Sequence, residues 1–138
     1  MLILLLMNKN TYLFILLSVF ALLLFSCDKE EKIEENLQGK WDVINVIDVN
    51  DPVKYIWSFY DFQLIVLKKH IDSLSWDTAS VGNYTLEAPN LKRDLITFSG
   101  FSGIAINGEY KILTHNEEML IIIREEAGLW KYVEMTSH

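Results

Sequence analysis

The sequence predicts an all-β protein, a small antiparallel up-and-down barrel of about eight strands behind an apolar N-terminus and a short acidic stretch. Three observations carry that prediction. Beyond Gly39, apolar and aromatic residues recur at every second position. The runs are short, and Gly, Pro, Asn and Asp separate them. No stretch after Asn36 shows the three-and-four spacing of a long amphipathic helix. Val53–Lys69 comes nearest, but its aromatics are two residues apart.

The first strand is expected from Trp41 to Val49, where Trp41, Val43, Asn45, Ile47 and Val49 alternate with Asp42, Ile44, Val46 and Asp48. Asn50-Asp51-Pro52 is the turn that ends it. Tyr55, Trp57 and Phe59 form the next alternating set, followed by Phe62, Leu64 and Val66 up to Lys68-Lys69-His70. Further strands are expected at Ser80–Glu87, Leu95–Ser99, Ile104–Ile106, Glu109–Thr114, Met119–Arg124 and Leu129–Met135. Closing such a sheet removes its exposed edges, which matters in a chain this rich in β-formers.

One local order recurs: glycine, any residue, an aromatic, any residue, then an apolar or aromatic residue. It occurs at Gly39-Lys-Trp41-Asp-Val43, Gly82-Asn-Tyr84-Thr-Leu86, Gly108-Glu-Tyr110-Lys-Ile112 and Gly128-Leu-Trp130-Lys-Tyr132. Each glycine is expected to turn the chain into a strand, with the second and fourth residues after it facing the core.

Residues 1–26 read as an export signal. Met7-Asn8-Lys9 supplies the positive flank such a signal needs and Met1–Leu6 does not, so Met7 reads as the true start. The run Tyr12–Phe25 is apolar but for Ser18 and has 14 residues. A membrane-spanning helix needs about 20. Leu24-Phe25-Ser26-Cys27 then resembles the lipobox of bacterial lipoproteins, although Phe25 is bulkier than the usual residue there. The resemblance implies cleavage before Cys27, acylation of its thiol with chains of the palmitate type, and attachment to a membrane. Cys27 is the only cysteine, so no disulfide within the chain competes for it.

Residues 27–36 follow as an acidic segment with one aliphatic residue, Ile33, and are expected to be a solvated, lipidated tether. Cys27-Asp-Lys-Glu-Glu31 resembles the acid-rich signal that sends Bacteroidota lipoproteins to the outer face of the outer membrane. A periplasm-facing position is the alternative, because in other bacteria Asp after the cysteine marks inner-membrane retention. Residues 37–138 form the one domain, since 112 residues from Cys27 onward give room for a single core.

From Cys27 onward the chain has 11 basic and 19 acidic residues, a net charge of −8. With no basic stripe, binding of nucleic acid or of anionic headgroups through overall charge is set aside.

Leu37-Gln-Gly39-Lys-Trp41 resembles the Gly-x-Trp signature of the lipocalin-like superfamily. With Gly82-Asn-Tyr84-Thr-Leu86 and, more loosely, Tyr110-Lys-Ile112-Leu-Thr114, the part after Cys27 is similar to lipocalin-like domains of Bacteroidota lipoproteins. That resemblance implies an eight-stranded up-and-down barrel or half-open relative, with Gly39 and Trp41 as its signature and Trp41 packed across the closed end. The paired cysteines and long C-terminal helix of secreted lipocalins are absent, so their ligands are not implied.

Catalytic chemistry finds little support. His70, His115 and His138 are isolated, and only His70-Ile-Asp72 would place two polar groups on one strand face. Glu117-Glu118 and Glu125-Glu126 are adjacent and face opposite ways in a strand. Gly100-Phe-Ser-Gly103 reads as a hairpin loop, and Asn83-Tyr-Thr85 matches a glycosylation sequon only formally. No enzyme, metal or cofactor is expected. The first functional reading is a membrane-anchored protein that binds a small apolar ligand, with Trp57, Phe59, Tyr84 and Tyr110 as candidate barrel-lining residues. The alternative is a filled barrel that serves as a structural or protein-interaction module, for example an inhibitor or an accessory of an envelope complex. A hydrolase built around His70 or His115 ranks last.

Overall fold

The computed structural model describes residues 27–44, 52–89 and 92–138. Expectations for residues 1–26 and for the first strand beyond Ile44 fall outside the described residues. One helix, α1 (Cys27–Leu37), precedes eight strands: β1 (Gly39–Ile44), β2 (Val53–Tyr60), β3 (Gln63–His70), β4 (Asp77–Glu87), β5 (Leu95–Ser99), β6 (Gly108–His115), β7 (Met119–Glu126) and β8 (Leu129–Ser137). Each strand pairs antiparallel with the next. β1 also pairs with β8, Trp41 opposite Ser137 and Val43 opposite Met135, so the sheet closes into an up-and-down barrel. Among the described residues no helix is long and apolar enough to cross a membrane.

Alternation sets which side chains face inward. Trp57 stands opposite Val66 and Phe59 opposite Leu64, and all four are buried. Two irregularities adjust the pattern. The β3–β4 register shifts between Val66 and Leu67, and the β6–β7 register shifts between Ile112 and Thr114. The second shift brings His115, rather than Thr114, opposite the buried Leu120, so a bulge re-aims a side chain at the barrel end.

The segment expected to be a solvated tether is instead helical. Ile33 and Leu37 lie four residues apart, share one helix face and are buried in the barrel core. Glu and Lys propagate a helix well, and acids in the first turn suit its positive end. Eleven residues are marginal alone, so the packing of Ile33 and Leu37, worth about 1.5–3 kcal/mol each, is what holds α1. The helix ends where the Trp41 indole Nε1 donates to the Leu37 carbonyl at 2.8 Å. Gly39, at φ +118°, then turns the chain into β1.

Four further expectations change. Ile104–Ile106 is not a strand but part of the long β5–β6 connection. Phe62 belongs to the β2–β3 turn, where Asp61 and Phe62 have φ of 48° and 59°, and it is exposed. The fourth glycine motif faces outward: Trp130 and Tyr132 are 47% and 64% exposed, and Trp130 stacks under the Lys111 ammonium at 5.0 Å. Gly82 does not turn the chain at all. It lies inside β4, where a Cβ would collide with the Phe101 ring and the Ser99 carbonyl.

Candidate functional site

The two ends of the barrel are built differently. At the end where β1 begins, α1 lies across the opening as a plug. Four of its polar side chains find partners there: Tyr84 Oη donates to both oxygens of Glu34 at 2.7 and 2.9 Å, and the Ala88 amide donates to Glu30 at 3.2 Å. Asn36 meets His115 Nδ1 at 3.2 Å, and Lys29 pairs with Asp94. Burial, and then the Glu34 carboxylate, push the Tyr84 phenol well above its ordinary range.

Beneath the plug the interior is solid. Phe98 is the hub, with ring centroids 5.5 Å from Trp57, 6.2 Å from Phe101 and 5.3 Å from Tyr110, all near edge-to-face. Phe59 meets Tyr84 in the same manner at 5.3 Å.

At the opposite end the packing stops short. An apolar cavity of about 350 Å³ opens between Val43, Tyr55, Trp57, Val66 and Val133 on the strands and Ile104–Ile106 on the β5–β6 connection. Of the candidate barrel-lining residues, Trp57 borders this cavity, while Phe59, Tyr84 and Tyr110 are buried in the filled part. Gly39 and Trp41 sit at the plugged end.

The connection that walls the cavity is pinned from below. Arg124 continues the inward face of Leu120 and Ile122, and its side chain is only 14% exposed. Its guanidinium donates to the Asn107 carbonyl at 3.0 Å and the Ala105 carbonyl at 2.9 Å, and it stands 5.0 Å above the Tyr110 ring. Asn107 accepts from the Phe101 amide at 3.0 Å and donates back to its carbonyl at 2.8 Å. Ser80 Oγ adds a hydrogen bond to the Ser102 carbonyl at 3.0 Å. These bonds fold residues 101–107 inward, so Ile104 and Ile106 become part of the wall. Burial raises the Tyr110 phenol above its ordinary range, although the Arg124 charge opposes this. Hydrogen bonding by Lys131 holds the exposed Glu126 carboxylate below the usual range, with Arg124 assisting.

The remaining polar candidates do not converge on this cavity. His70 Nδ1 lies 3.8 Å from Asp72 Oδ2, both on the surface, and His115 is engaged by Asn36. A second, polar depression of about 420 Å³ lies at the plugged end, between Asn36, Asn116, Glu117 and Glu118. Among the described residues no three His, Cys, Asp or Glu side chains are grouped to hold a metal ion.

No family model, no curated protein and no solved structure matches this chain.

Proposed function

We propose that this is a lipoprotein, anchored to a membrane through acylated Cys27, whose barrel binds a small apolar ligand in the mouth cavity. The cavity carries the ligand half of the reading. Its volume of about 350 Å³ falls within the range of small-molecule sites, and its lining residues are all aliphatic or aromatic. An interior that fills itself completely at one end and leaves a walled hollow at the other is organised for occupancy. The anchor half rests on the lipobox-like Leu24-Phe25-Ser26-Cys27 and on the single cysteine.

Native mass spectrometry of the lipoprotein extracted from its own envelopes tests the ligand. An extra mass lost on unfolding, and absent in Val133→Phe, where the added ring fills the hollow, is the expected result. A bare protein in both forms refutes the ligand reading. For the anchor, Cys27→Ala is expected to abolish metabolic labelling by fatty acid, and undiminished labelling sinks that half.

The interaction-module reading keeps one specific support. Leu74, on the β3–β4 connection, is 99% exposed and Leu129, the first residue of β8, is 70% exposed, and both lie at the mouth end. A protein that co-purifies and is lost on Leu74→Ser, with no small-molecule adduct, would favour that alternative.

A further inference from the structure

We infer that the anchored barrel keeps its plugged end toward the bilayer and its mouth turned away, so the cavity fills from the aqueous side rather than from the anchoring membrane. This inference rests on acylation of Cys27.

The deciding quantity is slack. Ten extended residues, 27–36, reach at most about 36 Å. The longest of the paired strand segments flanking the cavity, the eight residues of β2 and of β3, would measure about 26 Å if they stood upright, and less when tilted. On an extended tether the barrel therefore tumbles freely and presents either end to the membrane. In the structure the same residues are a helix laid on the plugged end, with Cys27 as its first residue. No chain is left over between the anchor point and the fold.

The helix is held along its length rather than at one point. Lys29 binds Asp94, Glu30 binds the Ala88 amide, Glu34 binds Tyr84 and Asn36 binds His115, while Ile33 and Leu37 enter the core. The Lys29–Asp94 pair fixes the start of α1 beside the β4–β5 connection, two residues from Cys27. The mouth lies at the other end of the strands. Turning it onto the bilayer requires Cys27 to travel a barrel's height from the headgroups, which either withdraws the acyl chains or peels α1 off its site.

Electrostatics does not produce this orientation. Glu30, Glu31, Glu34, Glu35, Glu117 and Glu118 make the plugged end acidic, and anionic headgroups repel it. The covalent anchor and the docked helix set the geometry, so it is expected on an uncharged surface.

The test uses the full lipidated chain in phosphatidylcholine vesicles doped with a nickel-chelating lipid. Nitroxides are placed singly on Glu117→Cys, exposed at the plugged end, or on Leu74→Cys, exposed at the mouth. Relaxation enhancement by headgroup nickel is expected to be strong at residue 117 and several-fold weaker at residue 74. Equal enhancement at both sites, or a reversed order, overturns the inference. Inserting about ten Gly and Ser residues between Asp28 and Lys29 restores slack without touching the barrel and is expected to erase the contrast. A contrast that survives the insertion overturns the role given to the helix. Intact mass separates the two levels: a chain without lipid on Cys27 refutes the lipoprotein reading and takes the orientation with it.

Discussion

The plugged end and the mouth of this barrel are lined by the same eight strands yet solve opposite problems. At the plug, aromatic rings fill the lumen, and a charged helix is tied down through its side chains, Glu34 by Tyr84 and Asn36 by His115. At the mouth, Val43, Val66 and Val133 stand with Tyr55 and Trp57 around a gap that stays open. Stability is thus concentrated at one end, and the other is free to carry function. A barrel of eight strands is wide enough either to fill itself or to hold one small ligand. Here one end is filled and the other leaves a cavity.

Truncating one residue of the filled interior and one of the cavity wall gives the largest contrast. Phe98→Ala removes the hub of the ring cluster from a fully enclosed site and is expected to cost about 3–5 kcal/mol. Val133→Ala only enlarges a hollow that already exists and is expected to cost less than about 1.5 kcal/mol. Denaturant unfolding of both variants checks this. Equal costs would mean that the mouth is as tightly packed as the plug.

A smaller effect should follow from Arg124, whose guanidinium pins the cavity wall. Arg124→Met keeps the apolar stem but loses the two hydrogen bonds to the Ala105 and Asn107 carbonyls. Bonds to a charged donor contribute about 1.5–3 kcal/mol, so a loss toward the lower figure is expected for a partly exposed side chain. The more telling readout is local. Amide exchange should accelerate in residues 101–107 and not in α1. Uniform acceleration would show that Arg124 supports the whole barrel rather than the cavity wall.

The outcome of the sequence reading differs between the ends for physical reasons. Two-residue alternation locates all eight strands, because a closed barrel buries one face of each. It fails where three residues mimic a strand. Ile104-Ala-Ile106 alternates like the others, but Gly103 and Asn107 bend it into a loop that folds inward. Trp130 was expected inside because it repeats the motif of Trp41, yet pairing with Glu125 on the outer face of the tight Ala127-Gly128 turn puts it outside. The helix is hard to read in the sequence because residues 27–36 hold one aliphatic residue, Ile33, and its partner on the same helix face is Leu37, four residues on. In the sequence Arg124 is a lone basic residue at a strand end. Its two-residue spacing from Leu120 and Ile122 was the available signal that it points inward.

The smallest expected effect isolates the hydrogen bond that locks the plug. Tyr84→Phe keeps the buried ring and removes only the hydroxyl, while Glu34 retains Gln38 as a donor. A cost of about 1 kcal/mol at neutral pH is therefore expected. The pH dependence is more specific. Burial and Glu34 raise the Tyr84 phenol, so the folded chain keeps a proton that an unfolded tyrosine releases near pH 10. Below that pH both states hold the proton and the contribution is complete. Above it the unfolded state binds fewer protons than the folded one, and stability falls as pH rises. Tyr110, shifted in the same direction, adds to this fall. Tyr84→Phe is thus expected to lose stability at neutral pH yet decline less steeply than the parent above pH 10. Parallel curves would mean that the Tyr84 hydroxyl ionises as freely in the folded chain as in water, and that Glu34 does not hold the helix through it.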